Sequence, residues 1–532
     1  MNLNNLLKLS HEAFLKKNFS DAKKYLEDAI KIDPDSYEVN YRLAIILNNL
    51  GGLTESINYF NKAALANPYS ISVYLNLGNV YLKTNNFDLS LENYLKAKKI
   101  DPKNFKVNYN LGNYYFFKDD IENAEMYFHK SIEIDPNNIY PYNNLFLLYD
   151  RTNNLKKIED LIKKAKKIFG NNSTIQFFEG TYNFRIKKYK KVIEIFENIQ
   201  INENDIQRKV LIKNMLARSF DSLGLFNKSY DLYEISNKIL FNAYKNKINK
   251  NNYIKIVNDR LSFFSKNNFS LKKNKKFENN ISDPVFLIGF PRSGTTLLDT
   301  ILRTHNLINV IEEKPLVDQL ITELQKIIKN DYKKLNQIDD NLIYDLRNKY
   351  FQKREKFYKY EKGKIYIDKL PLNIVHIAEI CQIFPNAKFI LTLRHPFDAV
   401  LSCFMQPFIP NDAMSNFFNL YDASVLYDLV MKLWIKYNDL IEFKLHIIKY
   451  EDLINNFENS TKGLLKFLEV NWNEKIKKYH KTAENQRVIN TPSYDQVNLP
   501  LYSHSIGRWN NYSDRFSNVN KILNPWVKKF KY

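Results

Sequence analysis

A short turn between residues 289 and 296 carries the side chains of this sequence that are best suited to chemistry. It reads Gly-Phe-Pro-Arg-Ser-Gly-Thr-Thr, follows an apolar run at 285–288 and precedes an apolar segment at 297–302. An apolar strand, a glycine turn and a helix form the layout of a phosphate-binding loop, in which backbone N–H groups and the positive helix end converge on one anion. The sequence therefore predicts an anion site at this turn.

The spacing of the turn comes close to that of a nucleotide-triphosphate loop. Gly289 and Gly294 fit the pattern G-x-x-x-x-G-K-[ST], but Thr295 stands where the lysine is due. That lysine normally reaches the β- and γ-phosphates, so its absence argues against hydrolysis of ATP or GTP. The basic group lies inside the turn instead, as Arg292. The loop therefore suits an anion other than a triphosphate.

Strands and helices alternate in the second half of the chain. Apolar and periodic segments predict strands at 285–288, 364–368, 388–393 and 446–450, and helices at 295–304, 316–330, 374–383, 397–404 and 415–441. This alternation is typical of a parallel sheet, whose ligands lie beyond the carboxyl ends of the strands. Four candidate residues fall at those ends, namely Gly289, Lys369, Arg394 and Tyr450.

The first half of the chain is repetitive. Prolines recur at the 34-residue period of tetratricopeptide repeats, at Pro34, Pro68, Pro102 and Pro136. Small and aromatic residues such as Gly78 and Tyr94 recur with the same period. We predict about seven repeats over 1–243, a Lys- and Asn-rich linker over 244–282 with a helix at 251–264, and an α/β domain over 283–532. Such repeats present a concave surface that binds peptides or proteins. A structural spacer or a homodimerisation arm is the alternative, and the sequence leaves it open.

Composition limits the class of protein. The chain has 532 residues and a formal net charge of +21, which favours acidic partners such as a phosphorylated cofactor, although lysine is also abundant in plain helical segments. We expect no nucleic-acid partner. The two cysteines, Cys381 and Cys403, exclude a disulfide framework and do not favour a structural metal. No apolar run reaches the roughly 20 residues of a membrane span, and the start lacks a secretory pattern. We therefore expect a cytoplasmic protein.

Two motifs resemble those of a known enzyme family. The segment 290–297 is similar to the 5′-phosphosulfate loop of sulfotransferases, which use 3′-phosphoadenosine 5′-phosphosulfate (PAPS). The segment 393–402, Leu-Arg-His-Pro-Phe-Asp-Ala-Val-Leu-Ser, is similar to their second signature. The resemblance covers roughly 284–512 and is closest to the tyrosylprotein-sulfotransferase branch. The whole chain thus resembles a bacterial-type fusion of tetratricopeptide repeats with a sulfotransferase, which implies a helical superhelix followed by a P-loop-like, three-layer parallel sheet.

The resemblance implies a set of cofactor contacts. The turn would hold the 5′-phosphosulfate through Arg292, Ser293, Gly294, Thr295 and Thr296. The 3′-phosphate would be bound by Arg394 and Ser402. Tyr450 matches a position near the adenine, and Arg508 matches a late basic residue that reaches a cofactor phosphate.

The resemblance also implies the catalytic residues, which include Arg292 of the turn. Glu313 matches the catalytic glutamate and lies at the family's distance after Arg292, with the adjacent Glu312 as its rival for the role of base. Lys369 matches a lysine that contacts the bridging oxygen, and Ser493 matches the serine beside it. In-line sulfuryl transfer requires cationic groups at the leaving phosphate and a base on the acceptor side, and we expect no metal.

These expectations define the predicted function and its rivals. We predict a PAPS-dependent transfer of a sulfuryl group to a hydroxyl or amine of a protein or glycan acceptor that the repeats recruit. The tyrosylprotein enzymes carry arginines where this chain has Lys314-Pro-Leu-Val, so the pattern does not favour peptide tyrosine as the acceptor. The rivals are an interaction scaffold with an inactive nucleotide-binding domain and a P-loop kinase or ATPase.

Overall fold

The computed structural model describes residues 1–271, 282–481 and 504–532. Residue contacts divide the chain into two compact units, Met1–Arg185 and Ile186–Tyr532. Within the described ranges, no helix combines the length and the apolar character that crossing a membrane requires.

The first 244 residues form a succession of helices. Fourteen helices lie in this part of the chain, all of it described. Their bounds are α1 Leu3–Leu15, α2 Phe19–Ile32, α3 Tyr37–Asn49, α4 Leu53–Ala66, α5 Ile71–Lys83, α6 Phe87–Ile100, α7 Phe105–Phe117, α8 Ile121–Ile134, α9 Ile139–Arg151, α10 Leu155–Phe169, α11 Ser173–Arg185, α12 Tyr189–Glu197, α13 Ile206–Ser222 and α14 Phe226–Tyr244.

Two kinds of contact explain why the repeating sequence folds this way. The buried side chain of Asn40 donates to the carbonyl of Pro34 at 2.8 Å, which ties the proline turn to the helix that follows it. A Cβ at Gly78 would collide with the ring of Tyr94, so the small residue permits the close approach of two helices. The Tyr94 hydroxyl donates to Asn79 at 2.6 Å. The recurring residues therefore fix the pairing of the helices.

The second unit contains a five-stranded parallel sheet. Its strands are β1 Val285–Gly289, β2 Ile308–Glu312, β3 Ile365–Lys369, β4 Lys388–Leu393 and β5 Lys444–Lys449, in the order β2-β3-β1-β4-β5. The further helices among the described residues are α15 Lys250–Lys266, α16 Thr295–Arg303, α17 Asp318–Ile328, α18 Asp340–Glu355, α19 Ile377–Ile383, α20 Pro396–Phe404, α21 Leu420–Leu440, α22 Tyr450–Asn455, α23 Phe457–Phe467 and α24 Asn520–Phe530. Short 3-10 helices cover Tyr332–Gln337, Pro371–His376, Met414–Phe417, Glu474–Lys478 and Arg508–Phe516.

Helices cover both faces of this sheet. Val285 and Leu287 of β1 pack in one apolar cluster with residues of α16 and α23. Phe286 and Ile288 point to the other face and join a larger cluster with residues of α19, α20 and α21. Successive residues of a strand face opposite sides, so the uniformly apolar β1 is buried between two helical layers. The predicted fold class, a tetratricopeptide-type helical region followed by a parallel α/β domain, is confirmed.

Strand register brings the candidate residues to one edge of the sheet. Gly289 at the end of β1 lies opposite Thr392 of β4. Glu312 at the end of β2 lies opposite Lys369 at the end of β3. Because all strands run parallel, their carboxyl ends share an edge, and ligands are expected there.

The structure adds one strand that the sequence pattern did not predict. The segment Ile308–Glu312 forms β2 at the edge of the sheet. Because it mixes apolar and polar residues, it lacks the continuous apolar run by which a buried strand is predicted. Residue contacts group α12 to α15 with the α/β domain. The predicted domain boundaries at 243 and 283 stay predictions.

Candidate active site

The predicted anion loop connects β1 to α16. Arg292 and Gly294 adopt positive φ angles of 66° and 99°. Gly294 directly precedes α16, and a Cβ on it would lie 2.7 Å from the Tyr450 ring, so glycine is needed for both conformation and space. The left-handed residues turn the chain so that the first N–H groups of α16 face the loop. This is the arrangement that binds anions at a helix N-terminus.

The loop is fixed to the neighbouring strand by its own side chains. The buried hydroxyl of Ser293 lies 2.7 Å from the hydroxyl of Thr392 in β4. The thiol of Cys403 in α20 donates to the Pro291 carbonyl at 3.3 Å. Thr295 is buried and Thr296 is half-buried at the start of α16. The Ser293 hydroxyl therefore anchors the loop to β4, and the predicted contact of Ser293 with the cofactor stays a prediction.

The two predicted halves of the cofactor site touch each other. Nε of Arg292 donates to the Ser402 hydroxyl at 3.1 Å. Arg394 follows β4, and one of its terminal nitrogens donates to the Arg292 carbonyl at 3.1 Å. The Arg394 guanidinium also lies 5.1 Å from the centre of the Tyr450 ring. The structure thus brings together Arg292, Gly294, Arg394, Ser402 and Tyr450, and their roles in cofactor binding stay predictions.

Arg394 retains an unsatisfied donor in this cluster. Its side chain is buried, and its Nε has no hydrogen-bond partner among the described residues. Buried donors are nearly always paired, and each exception calls for an explanation such as a ligand. A cationic group with a spare donor beside the loop fits a second anionic group. The donor set therefore fits a cofactor that carries two separate phosphates, as PAPS does.

Glu313 and Lys369 meet at the same edge of the sheet. The Lys369 ammonium lies 2.9 Å from a Glu313 carboxylate oxygen and 3.4 Å from one of Glu312. Glu313 has a φ of 48°, and its N–H donates to the Lys369 carbonyl at 2.8 Å. Strand pairing of β2 and β3 therefore continues by one bond past Glu312. This turn places the Glu313 side chain next to the lysine.

The three side chains differ in exposure. The Lys369 side chain is fully buried, that of Glu312 is 17% exposed and that of Glu313 is 43% exposed. Glu312 also lies 3.6 Å from a terminal nitrogen of Arg303. Glu312 is thus enclosed between two cations, whereas Glu313 reaches solvent and can meet an incoming acceptor.

A buried carboxylate lies behind this pair. Asp299 on α16 accepts a hydrogen bond from Arg303 one turn later, and its second oxygen lies 3.8 Å from the Lys369 ammonium. Burial raises the pKa of Asp299, while Arg303 and Lys369 act in the opposite direction. The sequence reading assigned Asp299 no role. An acidic residue inside the apolar segment 297–302 is the one feature of the sequence that could have indicated a functional role for Asp299.

Asp398 is a second residue to which the sequence motifs assigned no role. This buried carboxylate in the first turn of α20 accepts from the N–H groups of Gly507 at 2.7 Å and Trp509 at 2.9 Å. The Trp509 ring stacks on His395, and Arg394 donates to the Ser505 carbonyl. The segment 505–509 is therefore held against the residues that follow β4.

Arg508, the predicted late phosphate-binding residue, forms an ion pair with an aspartate of the chain. Its guanidinium lies 3.0 Å from Asp221 near the end of α13, which also accepts from the Tyr512 hydroxyl. This contact links Arg508 to a helix of the repeat region, and its phosphate role stays a prediction. Ser493 lies outside the described residues.

Comparisons with known proteins agree with the motifs. Residues 284–474 match a family model described as "Sulfotransferase family". Residues 7–71, 78–118 and 105–138 match models of tetratricopeptide repeats.

Individual relatives match part of the chain. An uncharacterized protein of Aquifex aeolicus is 29% identical over 259 residues, which cover 47% of this chain and 33% of that protein. A protein-tyrosine sulfotransferase of Drosophila melanogaster is 23% identical over 246 residues, covering 42% and 46%. Protein-tyrosine sulfotransferase 1 of Danio rerio is 24% identical over 239 residues, covering 42% and 65%. The matches thus span between a third and two thirds of these relatives' lengths. The chain carries a sulfotransferase-family domain preceded by tetratricopeptide repeats, as its motifs predicted.

Proposed function

We propose that this chain is a PAPS-dependent sulfotransferase that moves a sulfuryl group to a hydroxyl or amine of a protein or glycan acceptor. The observation that carries the proposal is the contact of Glu313 with Lys369 at the carboxyl edge of the sheet. This pair shares that edge with the anion loop and with Arg394. The groups that would serve as base, cation and anion site thus lie at one edge of the sheet.

The cofactor would be held by two sets of groups. The N–H groups of residues 293–296 and the positive end of α16 would bind the 5′-phosphosulfate. Arg394 and Ser402 would bind the 3′-phosphate, and Tyr450 would lie beside the adenine. PAPS supplies the activated sulfuryl group when it is bound. The spare donor of Arg394 supports this assignment.

Glu313 and Lys369 would carry the chemistry. Glu313 would take the proton of the acceptor hydroxyl or amine as its oxygen or nitrogen attacks sulfur. The Lys369 ammonium would stabilise the negative charge that develops on the bridging oxygen and leaving phosphate. The exposure of Glu313 and the enclosure of Glu312 between Arg303 and Lys369 favour Glu313 as the base. Ser493 remains a candidate for assisting Lys369.

The repeats would bring the acceptor to the enzyme. Matches to tetratricopeptide-repeat models support a role in protein interaction. The two alternatives for the repeats are a spacer and a homodimer contact. We propose that the reaction takes place in the cytoplasm, and this part of the proposal is supported only by the sequence.

Two other functions are less well supported. A P-loop kinase or ATPase needs the lysine that Thr295 replaces. An inactive scaffold would not need a buried lysine held beside two glutamates, because burying such charges is costly.

Ligand-induced thermal stabilisation tests the cofactor assignment. Adenosine 3′,5′-bisphosphate is expected to raise the melting temperature, because a ligand that binds only the folded state stabilises it. ATP with Mg²⁺ is expected to do little. Absence of a shift with the bisphosphate, or a larger shift with Mg-ATP, would count against the proposal.

The acceptor is identified by labelling. The protein is incubated with ³⁵S-labelled PAPS and an extract of the host, and labelled molecules are separated and identified. Label in a protein or glycan supports the proposed acceptor class. Label found only in inorganic sulfate would contradict it.

A further inference from the structure

Lys369 is surrounded by more negative charge than the proposed reaction uses. Its buried ammonium has three carboxylates within 4 Å: Glu313 at 2.9 Å, Glu312 at 3.4 Å and Asp299 at 3.8 Å. A buried charge without a counterion is strongly destabilising, so the carboxylates around the ammonium decide where it is held. The reaction uses Glu313 as a base, and the other two carboxylates are left to hold the lysine.

The counterion role of Glu313 ends when it takes a proton. A protonated carboxylic acid no longer offsets the charge of the ammonium beside it. Lys369 is needed at that same moment, because negative charge then develops on the leaving phosphate. A carboxylate that keeps its charge throughout the step must therefore hold the ammonium in position.

Asp299 has the surroundings for this task. Its side chain is 1% exposed, so neither water nor the acceptor competes for it. Arg303 binds one of its oxygens, and the same guanidinium lies 3.6 Å from Glu312. Burial raises the pKa of Asp299, and the two cations, Arg303 and Lys369, oppose this by favouring its ionised form. The carboxylate is thus fixed from one side and faces Lys369 from the other.

Its place in the fold links Lys369 to the anion loop. Asp299 lies on α16, the helix whose first turn follows Gly294 and faces the loop. Lys369 ends β3, which pairs with β1 and β2. The Asp299–Lys369 contact therefore spans from the helix that would bind the phosphosulfate to the strand that carries the cation.

We propose that Asp299 is a positioning residue that holds the Lys369 ammonium at the sheet edge while Glu313 takes the acceptor's proton. The proposal rests on the proposed sulfotransferase function. It assigns Asp299 no contact with the substrate or the cofactor. Its effect is expected on the rate of transfer and hardly on cofactor binding.

The main test compares two buried aspartates. Asp299→Asn removes the charge behind Lys369. Asp283→Asn is the matched control, since Asp283 pairs with Arg347 at 2.6 Å and both side chains are below 5% exposed. The initial rate of ³⁵S transfer from labelled PAPS into host extract is measured as PAPS is varied. Affinity for adenosine 3′,5′-bisphosphate is measured by calorimetry.

The two variants should behave differently. We expect Asp299→Asn to lower the maximal rate about 10- to 100-fold, since small misplacements of a reacting group cost this much. Its apparent KM for PAPS and its affinity for the bisphosphate should stay within about twofold of the unmodified protein. Asp283→Asn should keep the maximal rate, and Asp299→Glu should recover most of it. Equal maximal rates for Asp299→Asn and Asp283→Asn would overturn the proposal.

A second measurement does not depend on the folding of an Asp299 variant. The acetylation rate of the Lys369 amine is followed by mass spectrometry in the unmodified protein and in Glu313→Gln. Lys369 should stay protected in both, because Asp299 and Glu312 still hold it. Rapid acetylation in Glu313→Gln would overturn the proposal.

The same assays separate this proposal from the function on which it rests. Absence of ³⁵S transfer by the unmodified protein would overturn both. Transfer that is lost in Glu313→Gln but unchanged in Asp299→Asn would leave the proposed function standing and remove only the role of Asp299.

Discussion

Arg292 and Ser402 are 110 positions apart in sequence, and their side chains form a hydrogen bond of 3.1 Å. One belongs to the loop that would bind the 5′ end of the cofactor, and the other belongs to the helix that would bind its 3′-phosphate. Arg394 adds a second link through the Arg292 carbonyl. The two halves of the site are therefore coupled before any ligand binds.

The 3′-phosphate assignment predicts how Arg394 discriminates between nucleotides. Hydrogen bonds to charged groups contribute about 1.5–3 kcal/mol, so Arg394→Ala should weaken binding of adenosine 3′,5′-bisphosphate by about 10- to 150-fold. Binding of adenosine 5′-monophosphate, which lacks the 3′-phosphate, should change little. Calorimetric titration of both nucleotides measures the difference.

A matched variant and a stability check complete this test. Ser402→Ala removes a neutral hydroxyl, which contributes about 0.5–1.5 kcal/mol, and should weaken the bisphosphate only a few-fold. Melting temperatures of the ligand-free variants show whether the loop has been disturbed. Equal losses for the bisphosphate and the monophosphate would show that Arg394 does not read the 3′-phosphate.

A second prediction at the scale of single residues concerns which of the two adjacent glutamates is the base. Glu313→Gln should lower the rate of sulfuryl transfer by about 10²- to 10⁴-fold, the usual contribution of a general base. Glu312→Gln should lower it less, because Glu312 lies between Arg303 and Lys369 and is largely enclosed. Initial rates of ³⁵S transfer and bisphosphate affinities are measured for both. The larger rate loss in Glu312→Gln would move the base to that residue.

The element β3 carries two buried ionisable residues side by side. Lys369 ends the strand at the candidate site, and the preceding Asp368 lies on the opposite face, where Tyr350 of α18 donates to it at 3.2 Å. Burial raises the pKa of Asp368 to about 8, with Asp318 adding to the increase and the Tyr350 hydrogen bond opposing it. The strand thus keeps a neutral acid next to a charged lysine.

This raised pKa predicts a dependence of stability on pH. In the unfolded chain the Asp368 carboxyl loses its proton near pH 4, whereas in the folded protein it keeps the proton until about pH 8. The folded state therefore holds one proton more in this window, and stability falls as pH rises through it, by about 1.4 kcal/mol per pH unit at most. Asp368→Asn removes this contribution.

Denaturant unfolding at several pH values measures the effect. Between about pH 5 and 8, Asp368→Asn should gain stability relative to the unmodified protein as pH rises. Above pH 8 the difference should level off. A constant difference across the whole range would show that Asp368 is ionised in the folded protein.

Sequence patterns predicted the elements with strong apolar runs. β4 was predicted at 388–393 and is observed at Lys388–Leu393. β1, with five buried residues, extends the predicted 285–288 by one residue. β2 escaped prediction because it is a half-polar edge strand, and its role depends on pairing with β3. The apolar pattern of a segment indicates whether that segment is buried. It does not indicate which other strand will pair with the segment.

The same limit applies to the residues around the site. Motif positions located Arg292, Glu313, Lys369 and Arg394, and the structure joins them as two contacts, Glu313 with Lys369 and Arg394 with Arg292. Asp299 and Asp398 were missed, because Lys369 and Gly507, which they contact in the fold, are far from them in sequence. A buried acid within an apolar helix is visible in sequence, but its partner is not.

Within the second unit, helices before the sheet share its core. Asn237 of α14 donates to the Phe404 carbonyl at 3.0 Å, and the Tyr230 ring stacks on Phe404. Arg260 of α15 and Glu379 of α19 form a buried ion pair at 2.6 Å. Removing one partner of such a pair typically costs about 3–5 kcal/mol. The α/β domain is therefore packed together with α14 and α15.

These contacts predict where the chain can be divided. A chain that begins at residue 186 should remain monodisperse and bind adenosine 3′,5′-bisphosphate with an affinity close to that of the full protein. A chain that begins at residue 284 leaves Glu379 without its partner and exposes apolar surface around Phe404, so it should aggregate. Size-exclusion chromatography and calorimetry compare the two. A stable, binding-competent 284–532 chain would support the predicted boundary at 283 instead.

The central claim for the whole molecule is that it transfers a sulfuryl group from PAPS. The most direct measurement supplies host extract with ³⁵S-labelled PAPS in one reaction and γ-³²P-labelled ATP with Mg²⁺ in another, each with purified protein or with its Glu313→Gln variant. We predict ³⁵S incorporation by the unmodified protein, little or none by the variant, and no ³²P incorporation above that of extract alone. Incorporation of ³²P without ³⁵S, or equal ³⁵S incorporation by both proteins, would contradict the account.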